Sequence, residues 1–170
     1  MKQLTLMRHA DARWKDAGLS DLERPLSRRG TNAAQAMARR LLALELVPDL
    51  VLVSPARRAQ QTAEILAREL PAAAGRLRRE GGLYLAGAPE LLNVVRGIGP
   101  RVAHLMVIAH NPGLSELVEL LAPEGPDPTL GTASVCSMAF ECEAWAAVDA
   151  AQLRQVQRES APAGLFGRFT

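Results

Sequence analysis

Short apolar runs alternate along this chain with amphipathic stretches, and that alternation most constrains how it folds. Gln3–Met7, Leu50–Val53 and His104–Ala109 are brief and apolar almost throughout, as strands buried on both faces of a sheet must be. Thr31 to Leu46 carries Ala, Met and Leu at spacings of three and four and reads as a helix, with Thr31 as its cap, Gly30 closing the loop before it and Pro48 ending the unit. Ser54-Pro55 starts a second helix that runs to about Leu70, with serine as cap and proline in the first turn. Pro89–Ile98 and Pro112–Leu121 read as two more helices, and Ser134–Cys142 and Leu153–Glu159 as strands. Leu77–Leu85, interrupted by Gly81-Gly82, fits helix and strand equally badly. Strands alternating with helices imply an α/β domain with a mainly parallel sheet. With no internal repeat and no linker-like stretch, residues 1–170 are expected to form one domain.

Bulk chemistry removes several function classes. The chain is 48% apolar and 22% charged, as ordinary soluble domains are. A net charge of +2 speaks against nucleic acid or membrane as partner. Of 20 basic residues only Lys2 and Lys15 are lysines, a bias that carries no functional weight by itself. Cys136 and Cys142 form neither a CxxC pair nor a zinc-like spacing and read as reduced core thiols. The apolar start before Arg8 is too short for a signal peptide, and no run approaches the ~18 apolar residues of a membrane span. The expected location is the cytoplasm.

The chemistry concentrates at the ends of the predicted strands, where ligands bind in open α/β sheets. Of three histidines, His9 and His110 each follow such a strand, and Arg8 precedes His9. A histidine nucleophile needs a neutral imidazole whose other nitrogen gives its proton to an acceptor. It also needs cations for the phosphoryl oxygens. Arg8 and His9 would face opposite ways within a strand, but the chain turns there, which lets both reach one pocket. SPARRAQQTAE, residues 54–64, follows a strand and opens a helix, so its free N–H groups face the same mouth. Arg57 and Arg58 oppose the helix dipole in that first turn. A bound phosphate would account for one of them, and solvation alone is the competing reading. IAHNPGLSE repeats the arrangement around His110. His104 reads as a structural residue at a strand start, Trp14 as a pocket-rim aromatic and Trp145 as packing.

LMRHADA, RPLSRRG, SPARRAQQTA, AHNPG and TAS, in this order, resemble the histidine phosphatase superfamily, most closely its compact SixA-type branch, from Gln3 to Pro162. The resemblance implies a phosphoglycerate mutase-like, three-layer α/β/α fold with a mixed, mostly parallel central sheet. It implies that His9 is a nucleophile that becomes transiently phosphorylated. Arg8 and Arg58 would clamp the phosphoryl oxygens, with Arg58 chosen over Arg57, and His110 would complete the pocket. Asp21 and Arg24 match positions near the phosphate and are expected to bind substrate, Arg24 on the rim and Asp21 orienting it or meeting the substrate. An ordinary surface ion pair is the other reading of these two. Ser27 is expected to hold its loop, and Thr132 and Ser134 to line the pocket edge structurally.

Two departures matter. The larger family has glycine where Ala10 follows His9. Many of its members also carry a glutamate general acid between the second and third motifs. Here that region reads REGGLYLAG, with Glu80 its nearby carboxylate, and resembles the SixA-type pattern that lacks the acid. A phosphoramidate leaves with less help than an alkoxide, because its bridging nitrogen is readily protonated, so phosphohistidine is favoured over phosphoglycerate. The expected activity is hydrolysis of protein phosphohistidine without metal or cofactor. A phosphomonoesterase acting on a small phosphorylated metabolite, with Glu80 as its acid, is the first alternative. A non-catalytic phosphate-binding module is the second, and the nucleophile argues against it.

Overall fold

The computed structural model describes residues 1–14 and 18–161. Residues 15–17, inside the polar loop expected after Asp11, and Pro162 onward lie outside that description. Six strands, β1 (Lys2–Arg8), β2 (Leu50–Val53), β3 (Leu77–Arg79), β4 (His104–Ala109), β5 (Val135–Phe140) and β6 (Leu153–Glu159), form one sheet in the order β3-β2-β4-β1-β5-β6. β1, β2, β3 and β4 run parallel, and β5 runs antiparallel to both β1 and β6. The sheet is therefore mixed and mostly parallel.

Four helices cover its two faces. α1 (Arg28–Ala43) and α2 (Arg57–Glu69) bury Met37, Leu41, Ile65 and Leu66 against Met7, Val53 and Ile108. α3 (Ala88–Arg96) and α4 (Gly113–Leu121) bury Leu91, Val95, Leu114 and Val118 against Leu6, Val107 and Phe140. β4 shows why central strands must be apolar throughout: Leu105 and Val107 enter one core while Met106 and Ile108 enter the other. This is the expected three-layer α/β/α architecture.

The topology makes a crevice. β1 and β4 are neighbours, yet the chain leaving β1 leads to α1 on one face and the chain leaving β4 leads to α4 on the other. Adjacent strands that part in this way leave an opening at their carboxyl ends. The register levels the two: Arg8 pairs with Ala109, and the His9 amide donates to the Ala109 carbonyl at 3.2 Å. His9 and His110 thus emerge side by side.

Some local readings change. α1 starts at Arg28, capped by Ser27, whose Oγ accepts the Gly30 amide at 3.0 Å, so Thr31 is not the cap. Gly30 lies within the first turn, where an added Cβ would stand 2.0 Å from the Asp11 carbonyl oxygen. Glycine there lets the loop after His9 rest directly on the helix. α2 starts at Arg57 with Ala56 as its cap, not at Ser54-Pro55. Ser54 still pairs with β4, its amide donating to Ile108, and its hydroxyl is used elsewhere. Leu77–Leu85 resolves into β3 and a 3-10 turn, Gly81–Leu83. Cys136 is buried and Cys142 half-buried, both as free thiols.

Candidate active site

Arg8, His9 and His110 are placed by strand ends and Arg58 by the first turn of a helix. His9 and His110 face each other with ring centroids 5.1 Å apart. Between them lies Arg58, in the first turn of α2 and only 2% exposed. Its Nε donates to His9 Nε2 at 3.3 Å, and its Nη2 stands 3.4 Å from His110 Nδ1. Arg57, one residue earlier, is exposed. The helix turn, not the identity of the residue, separates the two arginines.

These contacts assign the imidazole protons. His9 Nδ1 lies 2.7 Å from the Ala10 carbonyl. A carbonyl only accepts, so Nδ1 carries the proton and Nε2 keeps its lone pair. Arg58 only donates, so His110 Nδ1 is an acceptor, and its Nε2 gives its proton to Ser54 Oγ at 2.7 Å. Burial, aided by the charges of Arg58 and Arg8, pushes His9 down to about 4, even though its bond to Ala10 works the other way. Burial, with His9 and Arg58 beside it, pushes His110 down to about 3. Both rings are neutral at physiological pH.

Asp21 organises the other side. Its Oδ2 accepts from Arg58 Nη2 at 3.1 Å and from the Tyr84 hydroxyl at 2.6 Å, and its Oδ1 from Arg24 Nε at 3.0 Å. Its carbonyl takes Arg58 Nη1 at 2.7 Å. These donors, Tyr84 foremost, hold the carboxyl well below the usual range, so it stays ionised. Asp21 and Arg24 do form an ion pair, but one that also anchors Arg58. Arg8 sends Nη1 to the Leu130 carbonyl at 3.2 Å. Its buried Nε has no partner among the described residues, which is costly unless an anion arrives. Glu80 is committed to its own turn, accepting the Gly82 amide at 3.2 Å, and no described contact joins it to the pocket groups. Among the described residues, no group of three or more His, Cys, Asp or Glu could hold a metal ion.

Three participants escaped the sequence reading. Tyr84 is the chain's only tyrosine, which was a usable signal. It lies edge-on to His110 at 5.6 Å. Ser54 was hidden by its plausibility as a helix cap. Thr62 sits mid-helix, where threonine often bonds back to the carbonyl four residues earlier. Its hydroxyl donates to Arg58 O at 2.7 Å and accepts the Ala10 amide at 3.0 Å. Thr62 therefore holds, by its amide, the residue whose carbonyl fixes His9. Thr62→Val keeps the shape and removes both bonds. It should lower kcat about tenfold at unchanged KM and cost ~1–2 kcal/mol of stability. Steady-state kinetics and denaturant unfolding check this.

The pKa shifts make a second prediction. Between about 6.5 and 4, an unfolded chain protonates both histidines while the native protein leaves them neutral. The unfolded state binds more protons, so stability falls as pH falls. Asp21, ionised in the native state below its unfolded pKa, acts in the same direction. NMR should show the His9 and His110 rings neutral down to pH ~5, and added inorganic phosphate should raise both midpoints by favouring the cations. Titration of either ring near its ordinary value in the free protein would contradict the assignment.

A two-histidine, multi-arginine crevice at a sheet's carboxyl edge has the charge and the hydrogen-bond donors that a tetrahedral oxyanion requires. Residues 4–79 match the sequence profile of the histidine phosphatase superfamily (branch 1). The chain is 33% identical over 146 residues to the phosphohistidine phosphatase SixA of Escherichia coli, covering 82% of this chain and 86% of that one. The fold superposes on SixA from Agrobacterium tumefaciens with a TM-score of 0.76 at 22% identity, covering 94% and 97% of the two chains. It superposes on the protein histidine phosphatase SixA complexed with tungstate with a TM-score of 0.70 at 27% identity, covering 91% and 96%. The chain belongs to the histidine phosphatase superfamily, as a phosphatase of the SixA type.

Proposed function

We propose that this protein removes phosphate from phosphohistidine on proteins, by way of a phosphorylated His9 and without a metal ion. His9 Nε2 attacks phosphorus in line. The P–N bond to the substrate imidazole breaks as a P–N bond to His9 forms; the substrate ring, protonated from solvent at its other nitrogen, keeps the electron pair of the broken bond and leaves as neutral imidazole. Water then attacks phosphorus and the His9 P–N bond breaks, releasing inorganic phosphate and restoring the neutral ring. Splitting the transfer into two displacements is what the nucleophile contributes. Arg58 and Arg8 receive the charge spread over the phosphoryl oxygens in both steps, and His110 joins them once the arriving oxyanion has favoured a proton on its Nδ1. When the oxyanion arrives, Arg58 Nε exchanges His9 Nε2 for a phosphoryl oxygen, and the lone pair is freed as the substrate docks.

One observation carries the choice of substrate. The carboxylates of this chain that could be candidates for a general acid are engaged: Asp21 is ionised among three donors, and Glu80 caps its turn. A phosphoramidate nitrogen takes its proton without such help, whereas an alkoxide leaving group needs it. The test is turnover in EDTA of a phosphohistidine peptide, 3-phosphoglycerate and a set of sugar phosphates. Release of phosphate from the peptide at least ~100-fold faster than from the alkyl esters is expected, in line with the usual worth of general acid catalysis. Comparable rates on the esters would move the substrate to small metabolites. Loss of activity in EDTA would end the metal-free scheme.

A further inference from the structure

We infer that Asn111 and Ser115 are positioning residues for the reaction: they fix the Leu130 carbonyl, and through it the guanidinium of Arg8. The inference rests on the reading of Arg8 as a clamp for phosphoryl oxygens and adds how that clamp is held.

The two clamping arginines are held differently. Arg58 meets His9, His110 and two groups of Asp21. Among the described residues Arg8 makes one side-chain hydrogen bond, from Nη1 to the Leu130 carbonyl at 3.2 Å, while its buried Nε makes none. A long side chain held at one atom takes its place from whatever fixes the partner of that atom. Leu130 lies between α4 and β5, in a stretch with neither helix nor strand. No helix or sheet ladder therefore sets its peptide groups, and other partners must.

Two side chains from the segment after β4 supply them. Asn111 Nδ2 donates to the Leu130 carbonyl at 2.7 Å. The Leu130 amide donates to Ser115 Oγ at 3.0 Å, and that hydroxyl donates to Asn111 Oδ1 at 2.8 Å. The bonds close a ring, and their directions are forced. The Ser115 amide donates to Asn111 Oδ1 at 3.3 Å, so the side-chain oxygen faces Ser115 and the nitrogen faces Leu130. The two lone pairs of the Leu130 carbonyl then serve Asn111 and Arg8 together. The fully buried Leu130 side chain anchors the same residue in the core beside α4. A helix cap on α4 would account for the bond between the Ser115 amide and Asn111. It would not account for the two bonds that reach across to Leu130. Asn111 directly follows His110, so one short segment places His110 through its backbone and Arg8 through a side chain. Such coupling keeps the oxyanion contacts in step, where a displacement of ~1 Å costs up to ~100-fold in rate.

The experiment is a double-mutant cycle. Ser115→Ala opens the ring without altering the neighbour of His110, and Ser115→Thr keeps the hydroxyl. Ser115→Ala is made in wild type and in an Arg8→Ala background. The readouts are kcat and KM on a phosphohistidine peptide and the Kd for inorganic phosphate. In wild type, Ser115→Ala should lower kcat about tenfold and raise the phosphate Kd about threefold, on the scale of one well-placed hydrogen bond. Ser115→Thr should stay within about twofold of wild type, because the ring remains closed. In the Arg8→Ala background, Ser115→Ala should change the phosphate Kd by less than about twofold, since the group it acts through is gone. Equal losses in the two backgrounds, or no loss in either, would overturn the positioning role. Asn111→Ala, carried through the same cycle, opens the ring at a second point and decides the matter should Ser115→Ala fail to fold. An Arg8→Ala protein that binds phosphate as wild type does would overturn the clamp reading itself. A wild type that leaves the peptide intact would overturn the phosphohistidine reading, while the phosphate cycle still tests the ring.

Discussion

His9→Ala is expected to lower kcat/KM by ~10⁴-fold or more, because without a nucleophile only binding and charge stabilisation remain. The fold should survive. His9 is buried, yet its ring meets only the Ala10 carbonyl and Arg58 in its described hydrogen bonds, and its depressed pKa means the protein stabilises no charge on it. The variant should bind inorganic phosphate or tungstate still, since Arg8, Arg58 and His110 are intact. Labelling separates the loss of the nucleophile from a loss of structure. Wild type quenched during turnover should carry acid-labile, alkali-stable phosphate, and His9→Ala should carry none while giving an unchanged far-UV spectrum. Retention of activity within tenfold would transfer the nucleophilic role away from His9.

Arg58→Ala should produce the second largest loss, ~10³-fold in kcat, the usual scale for a preorganised donor to a developing oxyanion. Arg58→Lys should recover little of it. The guanidinium meets His9, His110 and two groups of Asp21 at once, a planar fork that an ammonium cannot reproduce. Stability should respond less than activity. Removing Arg58 leaves Asp21 with Arg24 and Tyr84 still bonded and its side chain 32% exposed, so no charge is stranded in a dry interior. Asp21→Asn tests the anchoring directly: Arg58 keeps its charge but loses its carboxylate partner. Tyr84→Phe removes one donor from the same carboxylate and should act more weakly. Measuring kcat and KM for the series ranks charge against placement. An Arg58→Lys enzyme near wild-type activity would show that position matters less than the structure implies.

Much of this site was legible because its parts lie at strand ends and helix starts, where a short local signal suffices. β2, β4 and β6 have the boundaries expected from apolar and alternating runs, Arg8 and His9 fall at the end of β1, His110 just after β4, and Arg58 at the start of α2. Two boundaries shifted for different reasons. Ser27, tied to Asp11, caps α1 four residues before Thr31, whose hydroxyl bonds back to the Ser27 carbonyl within the helix. The Ser54 hydroxyl meets the nearby Ala56 amide at 3.3 Å but lies closer, at 2.7 Å, to His110, a partner that a local cap signal cannot reveal.

What the amino-acid sequence determined by itself was the alternation that builds a mostly parallel sheet between helices, and the residue types a phosphoryl site requires. Only the tertiary structure decided how they work together. It buried Arg58, the arginine the resemblance favours, and left Arg57 exposed by the turn of α2, put His9 and His110 level through the β1–β4 register, and made Asp21 the common anchor of Arg58, Arg24 and Tyr84. It also passed the placement of His9 from Arg58 through Thr62 to Ala10. These are contacts between residues tens of positions apart, such as Thr62 with Ala10 and Tyr84 with Asp21. Hydrogen bonds act over about 3 Å of space, and sequence order carries no measure of that distance until the chain has folded.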